Sequence, residues 1–183
     1  MKFSIVTVTY NCQDTIKLTL DSIKGQRYND YELIIIDGKS TDNTCNIIKE
    51  YKDIISCYIS ENDSGIYNAM NKSLDYCHGD WILFLNSGDR FHNENVLKKV
   101  ATYISESNTL YYGNVCFKQS GIVYDGEFCS YKLSIHNICH QSIFYPKKAI
   151  KKYGYNEKYQ LYADWDLNLN ILADKTYRFK YLN

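Results

Sequence analysis

Several places along this chain put carboxylate, hydroxyl or imidazole groups where chemistry can be done. Asp37 follows the apolar run Leu33-Ile34-Ile35-Ile36, and Asn86-Ser87-Gly88-Asp89 follows Trp81-Ile82-Leu83-Phe84-Leu85. Thr9 and Tyr10 close an earlier strand-forming run that starts at Phe3, and Tyr162-Ala163-Asp164-Trp165-Asp166-Leu167 brings two acids together much later. Polar residues at the ends of buried strands, each just ahead of a helix, are the ingredients of a nucleotide-binding α/β sheet. Carboxylate oxygens are hard ligands that suit Mg2+ or Mn2+, and a carboxylate can also take the proton of an attacking hydroxyl. Plainer readings stand beside these. Asp89 can cap a helix or close a turn, Asp164 can be an N-cap, Tyr10 can be a partly buried strand residue, and His140 can be a structural histidine. The cluster Cys129, His136, Cys139 and His140 lacks the paired short cysteine spacings of a zinc site.

The elements that must position these groups follow from periodicity. After the first strand, Ile16, Leu20 and Ile23 recur at helical spacing, with Asp14 as the expected cap and Gly25 as the stop. The second strand runs from Tyr31 to Ile36, then a helix capped by Thr41 or Asp42 carries Ile47, Ile48 and Tyr51 on its apolar face. A third strand is expected over 54–59 and a helix over 66–77 ended by Gly79, before the short, wholly apolar Trp81 to Leu85, which reads as a central strand buried on both faces. Strands alternating with helices over the first hundred residues imply right-handed crossovers and a parallel sheet with ligands at its carboxyl ends. Beyond Val100 the rhythm changes: 110–117, 121–128 and 140–145 read as strands and 161–173 as a helix, a mixed half.

Composition narrows the class. The 183 residues suffice for one domain with a proper core. The 21 basic and 21 acidic side chains cancel, so no global field draws nucleic acid. Seven scattered cysteines, an odd number without disulfide-scaffold spacing, and the absence of an apolar run of about 20 residues or a signal sequence read as a reduced, cytoplasmic protein. The 19 tyrosines are an unusual number, but Asn, Lys and Ile are also abundant, so the bias reads mainly as one of composition. No Gly-x-Gly-x-x-Gly follows the first strand, where Asn11-Cys12-Gln13-Asp14 stands, which disfavours a dinucleotide-binding enzyme; a P-loop and the glycine-rich basic loop of a nucleotidyltransferase are missing too.

Four blocks in order, Phe3 to Asn11, Leu33 to Thr44, Glu61 to Asp89 and Tyr162 to Leu167, resemble the family 2 glycosyltransferases of the GT-A type, and the combination of Gly65-Ile66-Tyr67, Met70-Asn71-Lys72 and Leu85-Asn86-Ser87-Gly88-Asp89 is similar to members that build bacterial capsule and exopolysaccharide. The resemblance implies a Rossmann-like, open, mostly parallel sheet in a single glycosyltransferase domain over 1–183. Residues 1–100 would form the nucleotide-sugar half and 101–183 the acceptor and catalytic half. It implies transfer of a sugar, with inversion, from a UDP-sugar or GDP-sugar to a hydroxyl of a glycan or lipid-linked acceptor. By register with the family, Asp164 is the catalytic base, Asp89 the ligand of Mn2+ or Mg2+, and Thr9, Tyr10, Asp37, Asn71, Lys72 and Asn86 donor-binding residues. His140, Gln141 and Asp166 are assigned to acceptor or phosphate, although Asp166 more readily supports the helix start.

The departures from the family pattern are Gly38, Asn86, Gly88 and Ala163 where acids are usual, and Met70 where arginine is usual. The missing carboxylates at Asn86, Gly88 and Ala163 motivate a rival reading, a catalytically silent sugar-nucleotide-binding or scaffold protein. Family members are commonly longer, so a C-terminal truncation is expected, with peripheral membrane contact through an amphipathic segment beyond Asn183.

Overall fold

The computed structural model describes residues 2–124 and 126–183. In chain order, β1 (Phe3–Thr9), α1 (Ile16–Lys24), β2 (Tyr31–Asp37), α2 (Thr44–Lys49), β3 (Cys57–Ser60), α3 (Ile66–Ser73), β4 (Trp81–Phe84) and α4 (Val96–Tyr103) form the first half. The rest comprises β5 (Thr109–Tyr112), β6 (Val115–Cys116), β7 (Val123–Tyr124), α5 (Ser130–Ile135), β8 (Ile143–Pro146), α6 (Lys147–Tyr153), α7 (Ala163–Ala173) and β9 (Arg178–Tyr181). A seven-stranded sheet has the order β3-β2-β1-β4-β8-β5-β9, and β6 and β7 pair as a separate small ribbon. β3, β2, β1 and β4 are parallel, β8 runs antiparallel to both β4 and β5, and β9 is parallel to β5.

The unbroken apolar runs of the sequence are explained by burial on both faces. Alternate residues of β2 part company: Leu33 and Ile35 join Phe3, Ile5, Leu83 and the apolar stripe of α1 on one side. Ile34 and Ile36 join Val6, Val8, Phe84, Met70, Leu167 and Ile171 on the other. Ile34 and Ile35 of β2 are both fully buried, so removing either apolar side chain would cost about 2–5 kcal/mol.

Several expected boundaries move. The third strand begins at Cys57 rather than 54, because the turn at 51–54 is closed by the bond from Ile54 N–H to Tyr51 O. Only Thr109–Tyr112, Val115–Cys116 and Val123–Tyr124 of the two long strands expected over 110–128 are extended, and Asp125 of that stretch lies outside the described residues. His140 to Ser142 form a 3-10 turn ahead of β8, so the strand starts at Ile143. Asp14 does not cap α1, whose flanking residue is Thr15; nor is α2 capped by Thr41 or Asp42, since Asn43 flanks it, and Asp42 Oδ1 instead closes the preceding turn by accepting from Thr44 N–H at 2.9 Å. Among the described residues no helix is long and apolar enough to cross a membrane.

Candidate active site

Parallel pairing sets Thr9 beside Asp37 and carries β4 alongside β1, so the carboxyl ends of the three strands share one edge. β8 is antiparallel to β4, with Ile82 opposite Tyr145. Its amino end, and the turn bearing His140 and Gln141, therefore come to the same edge. The start of α7 arrives there too.

At that edge Asp164, on the first turn of α7, meets His140 and Tyr67. His140 Nδ1 lies 3.3 Å from Asp164 Oδ2, and the Tyr67 hydroxyl donates to Oδ1 at 3.3 Å. Oδ1 also accepts from Trp165 N–H at 2.9 Å. His140 Nε2 sits 3.2 Å from Asn86 Nδ2. With Nε2 accepting from that amide, Nδ1 carries the proton and donates to Asp164, a tautomer assigned from the network. Burial and the neighbouring Asp164 carboxylate raise the Tyr67 phenol above its ordinary pKa, which keeps it a donor. Behind Tyr67 stands Tyr155, stacked at 5.3 Å, and Trp165 fixes α7 by donating Nε1–H to Leu133 O at 2.7 Å. The helix entry is held open by Tyr162, a non-glycine residue at φ 68. Ala163, where the family pattern has an acid, is fully buried in the core; a glutamate there would bury its charge.

Among the described residues three buried side-chain oxygens have no hydrogen-bond partner, Thr9 Oγ1 and Asn86 Oδ1 at this edge and the Tyr155 hydroxyl behind Tyr67. A buried polar atom without a partner asks for a ligand. Asp89 is half-buried just past Asn86; burial raises its carboxyl, with His140 and Gln141 pulling the other way. Among the described residues no group of three His, Cys, Asp or Glu side chains gathers to hold a metal. The oxygen ligands this edge could offer a divalent cation are the Asp89 carboxylate and the uncommitted Asn86 oxygen. Gly88, also an acid in the family pattern, has φ 101, a conformation that favours glycine.

Other expected donor residues are spent on the fold. Asp37 is fully buried. Its carboxylate accepts from Ser40 N–H and hydroxyl, from the Ser60 hydroxyl at 2.6 Å and from the Cys45 thiol at 3.4 Å, which organises the loop after β2. Asn71 donates Nδ2–H to Tyr155 O and to Glu157 Oε1, both at 2.8 Å, and its Oδ1 accepts from Tyr155 N–H at 2.8 Å. This is a clamp between α3 and the 154–157 loop rather than a group facing open space. Lys72 pairs with Glu61 at 2.7 Å and donates to Asn62 O at 2.8 Å, strapping the loop between β3 and α3. Asp166 accepts from Asn170 on its own helix at 3.2 Å. Tyr10, by contrast, is 60% exposed, with its ring free at the edge.

The site partner that sequence reasoning missed is Tyr67. Tyr67 precedes Met70 and Leu74 at helical spacing, so it reads as core, and only its neighbours 97 positions along the chain reveal a polar task.

The sequence model of the family described as Glycosyl transferase family 2 matches residues 4–181. The chain belongs to the family 2 glycosyltransferases. A PGL/p-HBAD biosynthesis glycosyltransferase of Mycobacterium bovis is 34% identical over 99% of this chain and 73% of its own length. The Escherichia coli protein WfaP, UDP-Glc:alpha-D-GlcNAc-diphosphoundecaprenol beta-1,3-glucosyltransferase, is 30% identical over 93% of this chain and 70% of its own. Staphylococcus aureus TarS superposes with a TM-score of 0.84 at 21% identity, covering all of this chain and 58% of the TarS chain. A Pyrobaculum calidifontis mannosyltransferase solved with GDP-Man and Mn2+ superposes at 0.77 with 16% identity, covering 99% of this chain and 54% of that one. The chain thus spans little more than half the length of these two solved glycosyltransferases, and the mostly parallel sheet flanked by helices is the GT-A fold.

Proposed function

We propose that this family member transfers a sugar, with inversion, from a nucleoside-diphosphate sugar, a UDP-sugar first, to a hydroxyl of a glycan or lipid-linked acceptor in bacterial surface-polysaccharide biosynthesis. The observation that carries the reading is the Asp164 carboxylate. Held by Tyr67 and His140, it stands on the sheet edge that also bears Tyr10, the unpartnered Thr9 hydroxyl and Asp89. The activity for which WfaP is named, with a UDP-glucose donor and a diphosphoundecaprenol-linked acceptor, supports the donor and acceptor classes.

Asp164 has about four lone-pair positions. Tyr67, Trp165 and His140 take three of them. The remaining one, on Oδ2, accepts the hydroxyl proton of the acceptor as its oxygen attacks the anomeric carbon. The new carbon–oxygen bond forms as the bond to the diphosphate oxygen breaks, and the nucleotide leaves with the electron pair. Attack opposite the leaving group inverts the centre. Asp89 and Asn86 Oδ1 would hold a divalent cation, which when bound neutralises the charge on the diphosphate.

Asp164→Asn is expected to keep UDP affinity while lowering transfer by about 10²–10⁴-fold, and the product anomer read by NMR is inverted. A retained linkage, or a variant as fast as the parent, would defeat the assignment. The absence of any nucleoside-diphosphate binding would defeat the donor class itself.

A further inference from the structure

With Asp37 closed off by Ser40, Ser60 and Cys45, the edge needs another group to meet a nucleobase. Tyr10, Gly38 and Asp63 form a corner there. A Cβ built on Gly38 would lie 2.6 Å from Asp63 Oδ2 and 3.3 Å from the Tyr10 ring. The carboxylate of Asp63 therefore occupies the space that a side chain at 38 would fill, a position 25 residues earlier in the sequence on a different loop. Its other oxygen, Oδ1, accepts from Gly65 N–H at 2.9 Å. Oδ2 has no hydrogen-bond partner among the described residues. Lys72, through Glu61 and Asn62 O, straps the loop that aims it.

We infer that Asp63 is the base-reading residue of the donor site, accepting the ring N–H of a uracil laid against Tyr10. The exposed ring offers a flat apolar face, the bare Gly38 leaves room for the Asp63 carboxylate beside that ring, and the free carboxylate oxygen lies at the corner where an in-plane donor of a stacked base would point. Uracil presents N3–H there; cytosine presents a lone pair at N3, which a carboxylate repels. The inference rests on the nucleotide-sugar reading above and adds the residue that sets its base preference.

Asp63→Asn is a selective probe because its orientation is dictated locally. Gly65 N–H requires an acceptor at Oδ1, so the amide nitrogen takes the place of Oδ2 and turns an acceptor into a donor. By titration calorimetry with Mn2+ present, the parent chain is expected to bind UDP about 10- to 100-fold tighter than CDP, the worth of a hydrogen bond to a charged group. In Asp63→Asn the UDP affinity falls by a similar factor and CDP is held as well or better. The double variant Gly38→Asp, Asp63→Gly moves the carboxylate to the other loop and recovers the UDP preference. A parent that binds UDP, with an unchanged UDP-to-CDP ratio in Asp63→Asn, would overturn the assignment of Asp63 and leave the donor class intact. A folded parent that binds no nucleoside diphosphate would overturn both. Matching thermal midpoints without nucleotide show that the variants differ at the site and not in folding.

Discussion

Asn71→Ala separates a structural clamp from a donor contact, and its size can be worked from the contacts it removes. The side chain satisfies both the N–H and the C=O of Tyr155, a buried residue, and adds a bond to Glu157. The two backbone bonds are worth about 1 kcal/mol each. The Glu157 bond adds about half as much, because that carboxylate is exposed and solvent screens it. A loss of about 2–3 kcal/mol lowers the melting midpoint by about 5–10 °C for a chain of this size, read by scanning calorimetry or circular dichroism. The loosened loop carries Tyr155, whose ring stacks on Tyr67, which in turn holds Asp164. Transfer should therefore slow while UDP affinity in calorimetry stays near that of the parent. A variant that melts with the parent but binds UDP poorly would refute the clamp and restore Asn71 to the donor site.

Three further outcomes are expected. Glu32 is buried at the opposite end of the sheet, and burial alone would raise its pKa. The Ser4 hydroxyl and the His78 and Gly79 N–H groups outweigh burial and hold the carboxyl below its ordinary range. Its stabilisation is therefore complete above the unfolded carboxyl's pKa of about 4.3 and is lost as pH falls through the lower folded value; Glu32→Gln should lower the melting midpoint at neutral pH and flatten the decline on acidification. Asp89→Ala should abolish any tightening of UDP binding by Mn2+, and equal UDP affinity with metal and with chelator in the parent chain would sink the metal assignment. His140→Ala should cut the transfer rate by about tenfold, the worth of one bond to a carboxylate, with a smaller effect on donor KM; a change confined to KM would place His140 on the substrate instead of on Asp164.

The strands and their ends were legible in the chain because they follow local rules. Leu33 to Ile36 and Trp81 to Leu85 are apolar without alternation, which only a strand covered on both faces tolerates, and their polar successors had to fall at a carboxyl edge. The spacing of Ile16, Leu20 and Ile23 determined a helix in the same local way. The ordered blocks around Asp37, Asp89 and Asp164 carried the family as well. What each polar atom does was settled only by long-range packing. Nothing in the local sequence shows that Asp37 is saturated by Ser60 from the neighbouring strand, that Asn71 reaches the 154–157 loop, or that Lys72 is tied to Glu61. Short runs such as 110–117 misread for a related reason: strand propensity there was real, but only the part paired with β8 and β9 stayed in the main sheet. The antiparallel course of β8, invisible in periodicity, brings His140 beside Asn86 and Asp164, and the fold of the loop before α3 sets Asp63 where Gly38 leaves room. Residue type and period decide which segments form elements; a hydrogen bond depends on distance in space, and the chain's three-dimensional path alone provides it.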